Sequence, residues 1–290
     1  MVAVAPLVDA QERNAPLRPF MKWVGGKRRV VPHLLGHVAR PLGRYFEPFV
    51  GGGAFFWALA DEPAQRQRED NWAVLTDVNH RLVRTYKGIR DDVEGVAERL
   101  AVLRDGHCKE QYYEVRATDV DAHRLDADVA AWMIYLNRTG FNGLYRVNKK
   151  GGFNVPFGSY TKPLILDGPT LRACSKALAT VEIAHGHYQD VFFKAEAGDT
   201  VYFDPPYVPI SSTASFTSYT RDGFGPEDQI ALRDLAWELK RRGVTVILSN
   251  HDVPQVRELY ADFEIKQILV GRAINSKASK RGRVAEVIIT

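Results

Sequence analysis

Four short apolar runs in this chain each stop on a cluster of turn-forming or polar residues, and that punctuation restricts the fold more than any other feature. Tyr45 to Phe49 reads as a strand that ends in Gly51-Gly52-Gly53 and is followed by a helical run, Ala54 to Ala60. Ala73 to Thr76 is a second strand, closed by Asp77, and Thr200 to Phe203 a third, closed by Asp204-Pro205-Pro206-Tyr207. Val244 to Leu248 follows as a buried strand ending in Ser249-Asn250-His251-Asp252. Strand–turn–helix grammar of this kind predicts an α/β protein, and open α/β sheets hold their ligands beyond the carboxyl ends of the strands. Between the third and fourth strands a helix starts near Pro226, with Glu227 and Asp228 suiting its positive end, and Gly243 stops it. Ile230, Leu235 and Leu239 are expected to line its inner face.

The middle of the chain breaks this rhythm. From about residue 80 to 170 the apolar spacing is helical, most clearly over Asp126 to Arg138, where Val129, Trp132, Met133 and Leu136 repeat. A loop rich in glycine, asparagine and aromatics follows, Thr139 to Tyr160. The expected organisation is a leader at 1–18, mobile because it is proline-interrupted and has no sustained apolar run, then an α/β core from 19–80 and 171–290. That core is split by an inserted, mainly helical unit at 81–170. No apolar stretch approaches the length of a membrane span, and the leader lacks the pattern of a secretory signal. The only cysteines, Cys108 and Cys174, have no CxxC spacing, which disfavours a disulfide framework or a zinc site and fits a reducing cytoplasm.

A net charge of +4 permits a polyanionic partner without demanding one. Its distribution says more. Lys22, Lys27, Arg28 and Arg29 cluster early; Arg138, Arg146, Lys149 and Lys150 mark the middle; Arg272, Lys277, Lys280, Arg281 and Arg283 crowd the end. Any one cluster reads as a solvated surface, but all three adjoin glycine- or asparagine-rich loops, as phosphate contacts do.

Two motifs carry chemistry. A glycine triplet between strand and helix is by itself an ordinary tight turn. With Asp77 at the end of the next strand it becomes a nucleoside site, the carboxylate accepting hydrogen bonds from ribose hydroxyls. The GxGxxG pattern is absent, which disfavours a nicotinamide cofactor. Asp204-Pro205-Pro206-Tyr207 is rarer: at roughly 5% usage per residue it should arise by chance in on the order of one such chain in five hundred. Paired prolines hold the backbone extended and cannot donate, so the Asp204 carboxylate and the Pro205 carbonyl stand as fixed acceptors beside the flat face of Tyr207. That arrangement suits a planar group bearing an NH2; the alternative is a rigid turn with a packed tyrosine.

KWVGGK (Lys22 to Lys27), EPFVGGGAFF (Glu47 to Phe56), TDVNHRLVRTY (Thr76 to Tyr86), YLNRTGFNGLYRVNKKGGFNVPFGSY (Tyr135 to Tyr160) and DPPY together resemble the signature blocks of Dam-type DNA adenine methyltransferases, in the same order. The resemblance covers residues from about 20 to 290. It implies a Rossmann-like methyltransferase sheet with an inserted target-recognition domain, S-adenosyl-L-methionine as methyl donor, double-stranded DNA as substrate and N6 of a flipped-out adenine, within GATC, as the target. It implies that Trp23, Lys27, Phe49, Gly51, Asp77 and Asp204 border the cofactor, and that Asp204, Pro205, Pro206 and Tyr207 carry catalysis. Lys22, Leu144, Arg146, Pro156 and Tyr160 would face bases, with Arg146 suited to a bidentate contact with guanine. Asn142, Asn148, Asn154, Lys149 and Arg138 would touch phosphates or shape the loop. Neither a metal nor a second subunit is expected. The rival readings are a methyltransferase on another planar amine (cytosine N4, an RNA base or a glutamine side chain), a DNA-binding module without catalysis, and a dinucleotide oxidoreductase.

Overall fold

The computed structural model of the chain describes residues 17–62, 66–210, 224–271 and 283–290. Seven strands form one sheet: β1 (Tyr45–Glu47), β2 (Ala73–Asp77), β3 (Val181–His185), β4 (Thr200–Phe203), β5 (Thr245–His251), β6 (Ile265–Gly271) and β7 (Arg283–Ile289). Their order is β3-β2-β1-β4-β5-β7-β6, with β1 to β5 parallel and β7 antiparallel to both its neighbours. The chain runs outward from β1 to β3 on one side and from β4 to β5 on the other. The β1–β4 boundary is therefore the switch point at which such sheets open a crevice.

Both faces of the sheet are covered, and strand alternation divides the core in two. Tyr45, Leu75, Tyr202, Ile247 and Ile288 belong to one apolar cluster, whereas Phe46, Val74, Val201, Phe203, Leu248 and Val287 belong to the other. The first cluster includes α1 (Val31–Leu34), α2 (Ala54–Ala60), α3 (His80–Asp91), α4 (Val93–Asp105), α5 (Lys109–Ala117), α6 (Asp126–Thr139) and α7 (Gly168–Leu178). The second is capped by α8 (Pro226–Arg241) and α9 (Pro254–Leu259). Helix α6 is buried almost all round, which is why its apolar pattern is broader than a single stripe.

The sequence reading is corrected at four points. β1 stops at Glu47, because Pro48 has no N–H to extend the ladder. β5 runs on through Ser249, Asn250 and His251, because β7 supplies a hydrogen-bonding partner for them. On α8 the inner face is Gln229, Leu232, Ala236 and Leu239, and Ile230 is 46% exposed. Arg18 is no part of a loose leader: it donates to Asp167 (2.8 Å) and Thr170 (3.2 Å) at the start of α7. Leu17 packs against the core; residues 1–16 of the leader, and Arg272, Lys277, Lys280 and Arg281 of the third basic cluster, lie outside the described residues.

Candidate active site

The first half of the site is the turn between β1 and α2. Gly51 (φ +47°) and Gly53 (φ +62°) adopt left-handed backbone that side chains disfavour. Space enforces the choice as well: a Cβ on Gly51 would lie 2.7 Å from the Trp23 indole, and one on Gly53 would lie 2.8 Å from the Tyr86 hydroxyl. The turn is pinned from outside, since Tyr86 donates to the Gly51 carbonyl (3.1 Å) and Trp57 to that of Gly52 (3.0 Å). Asp77 closes β2 beside it. One carboxylate oxygen accepts the Gly51 N–H (3.1 Å), the other the Asn79 N–H (2.9 Å). Burial raises the Asp77 pKa, against these two donors and nearby His185. A carboxylate has about four acceptor positions, so acceptor capacity is left for a diol. Phe49 stacks on Tyr188 (5.2 Å) and meets Phe203 and Phe224 edge-on.

The second half begins one strand away, where Asp204 follows β4. Its side chain is 20% exposed and its Oδ1 has two partners, Lys27 Nζ at 3.1 Å and Ser249 Oγ at 2.9 Å. Burial pushes the Asp204 pKa up, while the Lys27 charge and the hydrogen bonds from Lys27 and Ser249 pull it down and Glu286 adds to the rise. Lys27 is nearly buried. It also donates to the Gly25 carbonyl (2.8 Å) and lies 4.3 Å over the Tyr207 ring. That ring is held by its hydroxyl, which donates to Glu286 on β7 (3.0 Å), and by an edge contact with His251. The proline turn is clamped from behind. Gln229 donates to the Pro206 carbonyl (2.9 Å), and Asn250 accepts from the Val208 N–H (3.0 Å) and donates to Gln229 (3.2 Å). Glu47, buried beneath Asp204, accepts from Tyr45 (2.8 Å) and from the Phe56 N–H (3.2 Å); burial, reinforced by Asp204, pushes its pKa up to about 8.

Beside this centre, residues 140–157 form a small hairpin, with bridges Gly140↔Phe157 and Val147↔Phe153. Asn148 shapes its tip by accepting the N–H groups of Lys150 and Gly152, and Lys149 is exposed there. Arg146 is exposed and held by Asn154, through Nε to the side-chain oxygen (2.7 Å) and NH2 to the carbonyl (3.2 Å). Asn142 is exposed with φ +56°, Pro156 is exposed, and Leu144 is half-buried against the core. Lys22 reaches this side as well, its ammonium 3.3 Å from the Tyr160 hydroxyl and 4.7 Å from the ring centre. Arg138 stands apart. Its guanidinium donates to the Phe20 carbonyl (2.7 Å), and burial lowers its pKa, so it braces the segment that carries Lys22. Tyr145 stacks on Trp23 (5.5 Å) and ties the hairpin to the glycine turn.

The structure thus gathers Trp23, Lys27, Gly51, Asp77 and Asp204 around the switch point and gives the hairpin residues a common neighbourhood. Sequence reasoning missed Ser249, Glu286, Tyr202, Gln229 and Glu47. Only the polar run after the fourth strand hinted at Ser249. Among the described residues no group of side chains is arranged to hold a metal ion, and no helix is long and apolar enough to cross a membrane.

The sequence matches the family model of D12 class N6 adenine-specific DNA methyltransferases over residues 23–274. It is 41% identical over 286 residues to the Type II methyltransferase M1.LlaDCHI of Lactococcus lactis subsp. cremoris, covering 97% of each chain. It is 40% identical over 281 residues to the Type II methyltransferase M.MjaIII of Methanocaldococcus jannaschii, covering 91% of this chain and 95% of the relative. It is also 34% identical over 274 residues to the DNA adenine methylase of Escherichia coli K12, covering 93% and 94%.

Proposed function

The chain belongs to the D12 class of N6 adenine-specific DNA methyltransferases, and from that premise we propose that it moves a methyl group from S-adenosylmethionine to N6 of an adenine flipped out of double-stranded GATC. The observation that carries this reading is the meeting of three strand ends, those of β1, β2 and β4, at the switch point. A glycine turn pinned to a half-buried carboxylate, Asp77, lies beside a second carboxylate, Asp204, that shares its neighbourhood with an aromatic face.

The donor set fits the cofactor. Gly51 gives backbone access, Asp77 offers acceptors for ribose hydroxyls, and Trp23, Lys27, Phe49 and Asp204 border the same crevice. When bound, S-adenosylmethionine supplies an electrophilic methyl group on a sulfonium. The protein's task is to prepare the amine. The lone pair of an adenine amine is delocalised into the ring, and a carboxylate with an ordinary pKa of roughly 4 cannot strip its proton beforehand. Accepted hydrogen bonds from the amine to Asp204 and the Pro205 carbonyl favour a pyramidal nitrogen whose lone pair is available. Positioning and fixed dipoles then supply the acceleration. Tyr207 offers a stacking face for a base that cannot be reached inside a duplex.

We assign recognition to the inserted segment 81–170, with core 19–80 and 171–290, and a single chain as the active unit. Arg146 reads guanine; Lys22, Leu144, Pro156 and Tyr160 face bases; Lys149 and the asparagines Asn142, Asn148 and Asn154 serve the backbone or the loop. Incubation with genomic DNA and labelled cofactor, followed by nucleoside chromatography and site mapping, tests the whole reading. N6-methyladenine confined to GATC is expected. N4-methylcytosine would overturn the chemistry, and methyladenine without GATC preference would overturn the target sequence.

A further inference from the structure

We infer that Ser249 and Tyr202 are positioning residues for methyl transfer: two buried hydroxyls in series that hold one oxygen of Asp204 and leave the other edge of its carboxylate to the amine. The inference rests on the role of Asp204 given above.

Strand register builds the pair. β4 and β5 are parallel with Phe203 opposite Leu248, so Asp204 and Ser249 are the next residues along and emerge on one face of the sheet. Tyr202, two residues before Asp204, emerges on that face too. Ser249 Oγ lies 2.9 Å from Asp204 Oδ1, and Tyr202 Oη lies 2.9 Å from Ser249 Oγ. Ser249 and Tyr202 are buried, so water cannot replace either hydroxyl cheaply.

The direction of the chain follows from proton counting. An ionised carboxylate only accepts, so the single Ser249 proton points at Oδ1 and its lone pair takes the Tyr202 proton. Tyr202 donates to Ser249, and Ser249 donates to Asp204. Lys27 Nζ meets the same Oδ1 at 3.1 Å. Two donors on one oxygen fix the rotation of the carboxyl group about its own axis, which is the degree of freedom that decides where an amine hydrogen is received. They also favour the charged form that can accept it.

The charged and titratable groups facing Asp204 come from every neighbouring element. Lys27 precedes the first helix, Tyr45 and Glu47 sit on β1, Tyr202 on β4, Tyr207 beyond it, and Glu286 on β7. Burial and Glu286 oppose ionisation of Asp204, whereas Lys27 and Ser249 support it. Removing the Ser249 donor therefore tips that balance toward the protonated acid, a weaker acceptor that carries a donor of its own.

The test compares Ser249→Ala, Ser249→Thr, Tyr202→Phe and Asp204→Ala by steady-state methylation of a GATC duplex across pH 5.5 to 9, with thermal melts alongside. Ser249→Ala should lower kcat about ten- to a hundred-fold, as expected for a lost hydrogen bond to a charged group, with the KM for DNA little changed. The acid limb of its kcat profile should move to higher pH. Tyr202→Phe, which keeps the ring, should move the limb the same way by less, and Ser249→Thr should restore both kcat and the profile. If Ser249→Ala fails to fold, Tyr202→Phe decides alone. Wild-type kcat and pH profile in Ser249→Ala and Tyr202→Phe, alongside an inactive Asp204→Ala, would overturn the positioning role and leave Asp204 in place. A loss of kcat with an unmoved acid limb and no rescue by threonine would also overturn it. Activity retained by Asp204→Ala would instead overturn the reading of the catalytic motif itself.

Discussion

The Asp204–Tyr207 turn, proposed above for catalysis, and the 140–157 hairpin, proposed for recognition, are both loops beside the same sheet, yet they are held in opposite ways. Asp204 and Tyr207 are fixed by partners distant in sequence: Ser249 is 45 residues from Asp204, and Glu286 is 79 residues from Tyr207. Arg146 is fixed by Asn154, eight residues away on the facing arm of the hairpin, and the tip by Asn148 within its own turn. Asp204 and Tyr207 are half-buried and bonded across to β5 and β7, whereas the hairpin presents Arg146, Lys149 and Pro156 to solvent. Chemistry that must be identical at every site is set by the whole fold; reading that must yield to a partner's shape is set locally.

If that contrast is right, damage to the first region removes turnover on every DNA, and damage to the second redistributes it. The largest effect should come from Asp204→Ala, with methyl transfer falling at least about a hundred-fold on all duplexes while thermal melts still report a folded protein. Tyr207→Ala should follow it closely. Tyr207→Phe keeps the aromatic face and forfeits the hydroxyl's bonds to Glu286 and Ser249, so its loss should stay under about ten-fold. Equal losses in the two Tyr207 variants would break the comparison, because a stacking face would then not be what the centre supplies.

A smaller effect, differently shaped, is expected in the hairpin. Arg146→Ala should lose about 1–3 kcal/mol of discrimination at one base pair, measured as kcat/KM on GATC against singly substituted duplexes. Lys149→Ala should weaken binding to all sequences alike and flatten its salt dependence. A uniform loss from Arg146→Ala would place that arginine with the phosphate contacts and blur the division of labour.

The smallest effect on turnover belongs to Glu47, which lies beneath the catalytic carboxylate, and it sharpens the comparison through stability. Burial raises its pKa to about 8 in the folded chain from an ordinary 4.5. The folded state thus holds a proton that the unfolded state releases, and the stabilisation is fully present below about pH 4.5 and lost as pH rises through about 8. Glu47→Gln mimics the neutral acid and should flatten the decline in melting temperature between pH 5 and 8.5, without altering preference among duplexes. An unchanged pH slope would mean that Glu47 is ionised in the folded protein.

These same two styles of support explain what the sequence disclosed. Asp204-Pro205-Pro206-Tyr207, the glycine triplet and Asp77 are contiguous or end a strand, so their chemistry is legible in one dimension. The place of Arg146 on the hairpin is legible because its partner Asn154 lies in the same loop. Ser249, Tyr202 and Glu286 are not, because their roles exist only once β4, β5 and β7 lie side by side, and nothing local distinguishes Tyr202 from any buried tyrosine. Lys27 belongs to a basic cluster in the sequence and to the cofactor border by resemblance, and packing separates it from its basic neighbours by drawing it against Asp204 and Tyr207. Ile230 obeyed helical spacing in the sequence, but the placement of Gln229 against the proline turn rotates α8 and turns Ile230 outward.

The pairing of β1 with β4 has a kinetic side. Tyr45 lies beside Thr200 and Phe46 beside Val201, so the innermost contact of the sheet joins segments far apart in the chain, with α2 to α7 between them. Closing so long a loop is entropically costly, and chains rich in such distant pairings fold slowly. Compaction of α3 to α7 into their shared apolar cluster shortens the gap that remains to be bridged. The glycine turn and the Asp204 motif are strangers until that bridge forms. During refolding, recovery of helical signal should therefore run ahead of recovery of the crevice, and the capacity to capture the methyl donor should be among the last properties to return.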